Sequence, residues 1–375
     1  MAESQTKQTL GTDAPVPISG RRLALPDSPI FSLRWADQSD YAIGAFRRWA
    51  GYKDLGVEQA TNGLALLQHV LSFGAAKTSG RTGVHCHLAH VHIVIPTSGR
   101  GLFSYDGVVT EAAPGGVIVQ HGGTIHDQFD YSYAPASEAD NAATPQAVEP
   151  APAGAALASF GFLELFIPPT VADVEIIPPD AVTPADQSTA WDHPYHTPGA
   201  HYALQPAQAP AAAFRPVAGH PDLEARDADT WAATGGLVAT WIIRPASGDS
   251  ASGDPAAGPP VDLEISGETG GVVILYMVAG SAQLRRDDGE AFVLKAGDTL
   301  THSQGLVGEP FDASPDMRLL RFFIAAKAAQ LQERTPDEIE RLEALGPAII
   351  TARALRPEGD ARPINFLHDG PKPRG

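Results

Sequence analysis

Apolar residues along this chain fall in short runs closed by glycine and proline, not in long stretches of helical period. Runs of that length, bounded by turn-forming residues, predict short β-strands assembled into sandwiches or barrels. A first set covers Leu64–Phe73, Val91–Pro96, Gly101–Tyr105, Gly116–Gln120 and Ser159–Ile167. A second covers Leu237–Arg244, Val272–Val278, Ala282–Arg286 and Phe292–Lys295. Between the sets, about Pro168 to Pro216 is rich in proline and alanine and reads as irregular. Two insertions, Ala134–Ala156 and Ser247–Pro260, are too poor in large apolar residues to bury much and read as surface loops. Helix is scarce. One signal stands near the C-terminus, where Thr335 can cap, Pro336 suits a first turn, Glu338 completes a capping box and Gly346 suits a stop.

The chain has 375 residues, enough for two domains of ordinary size, and the two strand sets suggest where they lie. The expected division is an N-terminal arm (1–60), a first barrel (61–178), a linker or lid (179–230), a second barrel (231–330) and a C-terminal helix and tail (331–375). Against 26 Lys and Arg stand 44 Asp and Glu, a net charge of −18. Binding of nucleic acid needs clustered cations to neutralise phosphates, so it is not expected. Cys86 is the single cysteine, which leaves no internal disulfide framework. The first residues show no apolar core of a secretory signal. The most apolar stretch, Leu157–Pro169, contains Glu164 and is too short to span a bilayer. The expectation is a cytoplasmic protein without membrane partners.

Candidate chemistry is concentrated in one segment. Of 13 histidines, His85, His87, His90, His92, His121 and His126 fall between positions 85 and 126. In an extended strand, residues i and i+2 face the same way, so His85 and His87 project together. A third imidazole from a neighbouring strand, such as His126, would complete a group of three nitrogens able to hold one divalent ion with open positions. Cys86 points the other way and reads as a packed apolar side chain.

These residues resemble the cupin superfamily. Its first motif runs Gly, five residues, His-x-His, three or four residues, Glu, six residues, Gly; here His85-Cys86-His87, four residues, His92, six residues and Gly99 follow, with His92 in place of Glu. Upstream, Gly83 lies closer to His85 than the motif asks. The second motif runs Gly, five residues, Pro-x-Gly-x-x-His, three residues, Asn; here Gly115, His121, Gly123, His126 and Asp130 keep that spacing, with His121 for proline and Asp130 for asparagine. The resemblance covers about Leu64–Ile167 and Leu237–Ala325. It implies an all-β chain of two double-stranded β-helix (jelly-roll) barrels, a bicupin, with few short helices. It implies metal ligands His85, His87, His126 and His92, with His90 the alternative fourth ligand. In the second set, alignment on Gly280 puts Ser266, Glu268, Val273 and Gly308 at the ligand positions, with His302 nearby, so that barrel is expected to be degenerate.

Bicupins with neutral histidine ligands resemble Fe(II) dioxygenases that cleave aromatic or dicarbonyl substrates. That is the first expectation for function, with a homodimer as the expected assembly. Replacing the motif's Glu by His92 would leave more positive charge on the ion and favour an anionic enolate or phenolate. Four-histidine cupins also resemble zinc or nickel isomerases, cyclases and lyases, in which His121 or Glu164 would move protons; manganese and copper also suit imidazole. A non-catalytic binding module is the third class. Phe103, Tyr105, Gln120, Gln128 and Glu164 are candidates for lining the cavity. His193, His196 and His201 form a second cluster in the linker, whose prolines suit a surface loop or a lid.

Overall fold

The computed structural model describes residues 25–26, 28–43, 50–72, 84–87, 89–105, 108–122, 124, 126–132, 160–168, 172–177, 202–205, 214–246, 259–331 and 349–352. The helix expected at Thr335–Gly346, the cluster His193, His196 and His201, and the insertion Ala134–Ala156 lie outside these residues, as does nearly all of Ser247–Pro260.

The N-terminal half contributes β1 (Phe31–Arg34), β2 (Ala42–Ile43), β3 (Ala50–Asp54), α1 (Val57–Ala60), β4 (Leu66–Ser72), β5 (Val84–His87) and β6 (Val91–Ser98). Then come β7 (Arg100–Tyr105), β8 (Val108–Ala112), β9 (Val117–His121), β10 (His126–Ser132), β11 (Gly161–Ile167), β12 (Ala172–Ile177) and β13 (Tyr202–Gln205). The C-terminal half follows with β14 (Arg215–Val217), β15 (His220–Asp227), α2 (Thr230–Ala233), β16 (Val238–Pro245) and β17 (Val272–Ala279). It ends with β18 (Ser281–Arg285), β19 (Ala291–Lys295), β20 (Thr299–Ser303), β21 (Arg318–Ile324) and β22 (Ile349–Ala352). The architecture is all-β, with two single-turn α-helices among the described residues.

The first barrel is closed by two sheets, a seven-stranded one in the order β13-β9-β6-β11-β4-β3-β2 and a six-stranded one in the order β22-β12-β5-β10-β7-β8. The second is built on β1-β20-β17-β21-β16-β15-β14, faced by the β18–β19 hairpin and its bridges to Val307 and Phe311. This is the double-stranded β-helix, present twice. The pairing β1–β20 carries the N-terminal segment onto the second barrel, and β13–β9 returns the segment before the second barrel onto the first. The stretch read as irregular thus contains β12 and β13, and β14 and β15 pair into the second barrel's sheet ahead of residue 231.

Strand alternation explains both cores. In β6, Val91, Ile93 and Ile95 share a cluster with Val117 and Val119 of β9, Leu163, Leu165 and Ile167 of β11, and Ile274, Leu320 and Phe322 of the second barrel. That cluster is the interface between the two large sheets. The alternate residues Val94, Ile118, Phe162 and Phe166 turn into the first barrel, with Tyr52, Phe103, Tyr105 and Phe160. Strands buried on both faces show no polar side, so they read as mostly apolar runs, interrupted here by His92, Gln120 and Glu164. Full burial of each Val, Leu or Ile contributes roughly 1.5–3 kcal/mol.

Candidate metal centre

The interior of the first barrel collects the histidines. Antiparallel pairing of β10 with β5 sets His126 opposite His85, and β7 sets Tyr105 on the other side of His126. The rings of His85 and His126 stand 4.2 Å apart, those of His87 and His126 4.8 Å, and those of His85 and His87 5.1 Å, centroid to centroid. One nitrogen from each of the three lies within 4.8 Å of the others, and all three side chains are buried. Small side-chain adjustments bring such a group onto one ion with bonds of about 2.1 Å. His126 supports that use: its Nδ1–H donates to the Thr124 carbonyl at 3.0 Å, which fixes the tautomer and leaves Nε2 as the ligand. Cys86 is buried and, by strand alternation, faces away from the pair.

His92 is set apart from this group. β5 belongs to the six-stranded sheet and β6 to the opposite one, so His92 arrives from another wall. Its ring stacks on Phe166, with centroids 4.1 Å apart and planes at 9°, and lies 4.6 Å from the His87 ring and 6.4 Å from that of His126. His92 Nε2 stands 3.5 Å from Glu164 Oε1, an ion-pair separation longer than a normal hydrogen bond, and Nδ1 has no hydrogen-bond partner. His90, the alternative ligand, is exposed in the connection between β5 and β6 and is not brought to the group.

Glu164 enters on β11, directly opposite Val94 of β6 and Gln68 of β4. Gln68 Nε2 donates to Glu164 Oε2 at 2.7 Å, and both side chains are buried. The carboxylate missing from position 92 therefore returns on the neighbouring strand.

A cavity of about 270 Å³ opens beside the group, lined by His85, His87, His92, His126, Val94, Phe103, Gln120, Gln128, Phe162 and Glu164. Four of the five expected lining residues are there. Tyr105 is instead packed behind His126, its ring stacked at 5.7 Å, and its hydroxyl lies 3.5 Å from Gln120 Nε2. The structure does not bring His121 to the cavity. Gln120 faces inward, so His121 passes through the sheet and its Nε2–H donates to the Ala233 carbonyl of α2 at 2.7 Å. Val94, Phe162, Gln68 and Phe166 went unrecognised as parts of the site; a glutamine inside the apolar run LALLQHVLSF is the one signal that could have found Gln68.

Among its described residues the second barrel carries no such group. Gly99 and Gly280 both turn at positive φ, 66° and 68°, and Val273 takes the place of His92. Glu268 is held through its carboxylate 3.5 Å from Lys327, as a rim contact. No helix among the described residues is long and apolar enough to cross a membrane.

No protein-family model and no curated protein matches the chain. Among solved structures it is similar to the protein Ylba from E. coli, with 11% identity, TM-score 0.44, and 82% of this chain and 96% of that one covered. It is similar to the vicilin from Solanum melongena, with 11% identity, TM-score 0.45, and coverage of 78% and 83%. A third likeness is to the bacterial pirin YhhW from Escherichia coli, described in complex with nickel(II), at 12% identity, TM-score 0.39, and coverage of 79% and 99%. Likenesses this distant decide nothing about activity.

Proposed function

We propose that the first barrel is the active site of a metal-dependent dioxygenase, with an Fe(II) ion held by His85, His87 and His126 and a small aromatic or dicarbonyl substrate. The observation that carries this reading is the buried three-imidazole group opening on a partly apolar cavity. The residues fit an ion by their chemistry: three buried imidazoles converge, and His126 is tautomerically fixed with Nε2 left to bind. Iron bound there would supply open coordination positions and one-electron redox chemistry.

The protein's own groups have separate duties in this reading. Phe103, Phe162 and Val94 receive an apolar ring or chain and exclude water. Gln120 and Gln128 orient polar substituents. Glu164, anchored by Gln68, holds or accepts a proton next to His92, within reach of the cavity.

A second reading is favoured by that same Glu164–His92 pair. A carboxylate beside an imidazole is the equipment of proton transfer, and with zinc or nickel as a Lewis acid the site would serve an isomerase, cyclase or lyase. Elemental analysis of purified wild type against the His85→Ala/His126→Ala double variant separates the two. Near-stoichiometric iron, lost in the variant, supports the dioxygenase and calls for oxygen-uptake assays with phenols and diketones. Zinc or nickel transfers the site to the second reading. Equal metal content in both proteins removes the centre altogether.

A further inference from the structure

The strand register relates the two barrels residue by residue. In the first barrel, His92 pairs with Gln120 and Phe166, and Glu164 pairs with Val94 and Gln68. In the second, Val273 pairs with His302 and Phe323, and Arg321 pairs with Leu275 and Trp241. Arg321 therefore stands where Glu164 stands, His302 where Gln120 stands, and Trp241 where Gln68 stands. The ligand histidines are gone, yet polar side chains persist at two of the inward positions, with a cation where the first barrel has its carboxylate.

Two donors there lack acceptors, and two acceptors beside them, His302 Nε2 and Glu309 Oε2, are also unpaired. Trp241 is 1% and Arg321 6% exposed, and neither the indole Nε1–H nor the guanidinium Nε–H has a hydrogen-bond partner. The two residues are direct register partners, with the guanidinium carbon 5.9 Å from the Trp241 ring. Each buried donor left unpaired costs about 1–3 kcal/mol. Arg321 already takes one carboxylate: its NH1 lies 3.2 Å from Glu309 Oε1, at the more open end, where the Glu309 side chain is 17% exposed. Its NH2 donates to the Leu263 carbonyl at 3.3 Å. His302 adds no second positive charge, since burial, with a smaller contribution from Arg321, holds its pKa at about 4.

We propose that the second barrel is a metal-free binding site for a small carboxylate or similar oxyanion, received by Arg321 Nε–H and Trp241 Nε1–H. Glu309 is the internal competitor for the same guanidinium. This goes beyond the reading of the first barrel and does not depend on it.

Titration calorimetry of the full-length, EDTA-treated protein with acetate, and with acetamide as the neutral isostere, tests the proposal. Saturable acetate binding without acetamide binding is expected. Trp241→Phe removes one donor and keeps the ring, so affinity should fall about tenfold. Arg321→Met should abolish binding, Glu309→Gln should strengthen it, and His126→Ala should leave it unchanged. If Arg321→Met does not fold, Trp241→Phe and Glu309→Gln carry the test. Absence of saturable acetate binding, equal binding of acetamide, or wild-type affinity in Trp241→Phe overturns the proposal. Loss of binding in His126→Ala alone also overturns it, by assigning the anion to the first barrel.

Discussion

His69 is buried between the barrels without a counter-charge, so acidification should pull the protein toward the unfolded state by an amount that can be worked out. Its Nδ1 meets the Tyr41 hydroxyl at 2.6 Å, its Nε2 meets Thr97 Oγ1 at 2.8 Å, and its ring stacks on Tyr276 of the second barrel at 6.1 Å. Burial, helped by the nearby Lys53, lowers its pKa from 6.5 to about 4. The folded protein therefore holds His69 neutral while the unfolded chain protonates it from pH 6.5 downward. Stability is lost as the pH falls from 6.5 to 4, and is level below that window as far as this residue is concerned. At about 1.4 kcal/mol per pH unit, the loss reaches about 2 kcal/mol by pH 5. His302, whose pKa is also held at about 4, adds a similar loss. Urea unfolding of EDTA-treated wild type and His69→Gln at pH 7 and pH 5 measures this. Glutamine offers a donor and an acceptor to Tyr41 and Thr97 but does not titrate. The variant should lose about 2 kcal/mol less than wild type over the interval, while every other group cancels. An unchanged pH dependence in His69→Gln would show that the residue is not held neutral by the fold.

Two further outcomes concern packing. Leu165 faces the interface between the large sheets and is 1% exposed, so Leu165→Ala should cost about 2–5 kcal/mol in chemical unfolding, with the two barrels losing stability together. Gly271, just before β17, has no room for a side chain: an added Cβ would run into the Phe323 ring and lie 2.6 Å from the Ile324 carbonyl oxygen. Gly271→Ala should lower the midpoint of thermal unfolding by several degrees, about the effect of a 1–3 kcal/mol overpacking penalty.

What could be read from the chain follows from how many faces each strand buries. β6, β9 and β11 bury both, one toward each core, so Val91–Ile95, Val117–Val119 and Leu163–Ile167 show as apolar runs interrupted only by His92 and Glu164, which turn into the first barrel. β21 buries both as well, and Arg321 interrupts the run Arg318–Ile324 as Glu164 interrupts β11, with Arg318 adding a second charge at its start. β1 and β13 were illegible for another reason. Each is four residues long and pairs with the barrel that it does not adjoin in sequence, so no local pattern points to its partner. In the site, His85 and His87 declare a common face by spacing alone, whereas His121 and Gln120 could be told apart only once the inward phase of β9 was known. The position of Glu164 beside His92 depends on the β6–β11 register, which no local spacing encodes.

That register also decides what His92 does. If it were a fourth ligand, its removal should cost 10–100-fold or more in metal affinity, as losses around metal centres do. Its ring, however, is clamped on Phe166 and turned toward Glu164, while the nitrogens of His85, His87 and His126 converge without it. Cobalt(II) is a suitable probe, since its visible bands respond to coordination number. His92→Ala and Glu164→Gln should each bind cobalt within about tenfold of wild type, with the same band positions. His126→Ala should lose the spectrum. The two milder variants should differ from wild type in one respect only, the pH at which an added chelating substrate analogue shifts the bands, because both dismantle the pair proposed to accept its proton. A large loss of cobalt affinity in His92→Ala, with Glu164→Gln unaffected, would instead make the centre a four-histidine one. Glu164 would then be left as a wall of the cavity, and the argument for proton transfer at this site would fall with it.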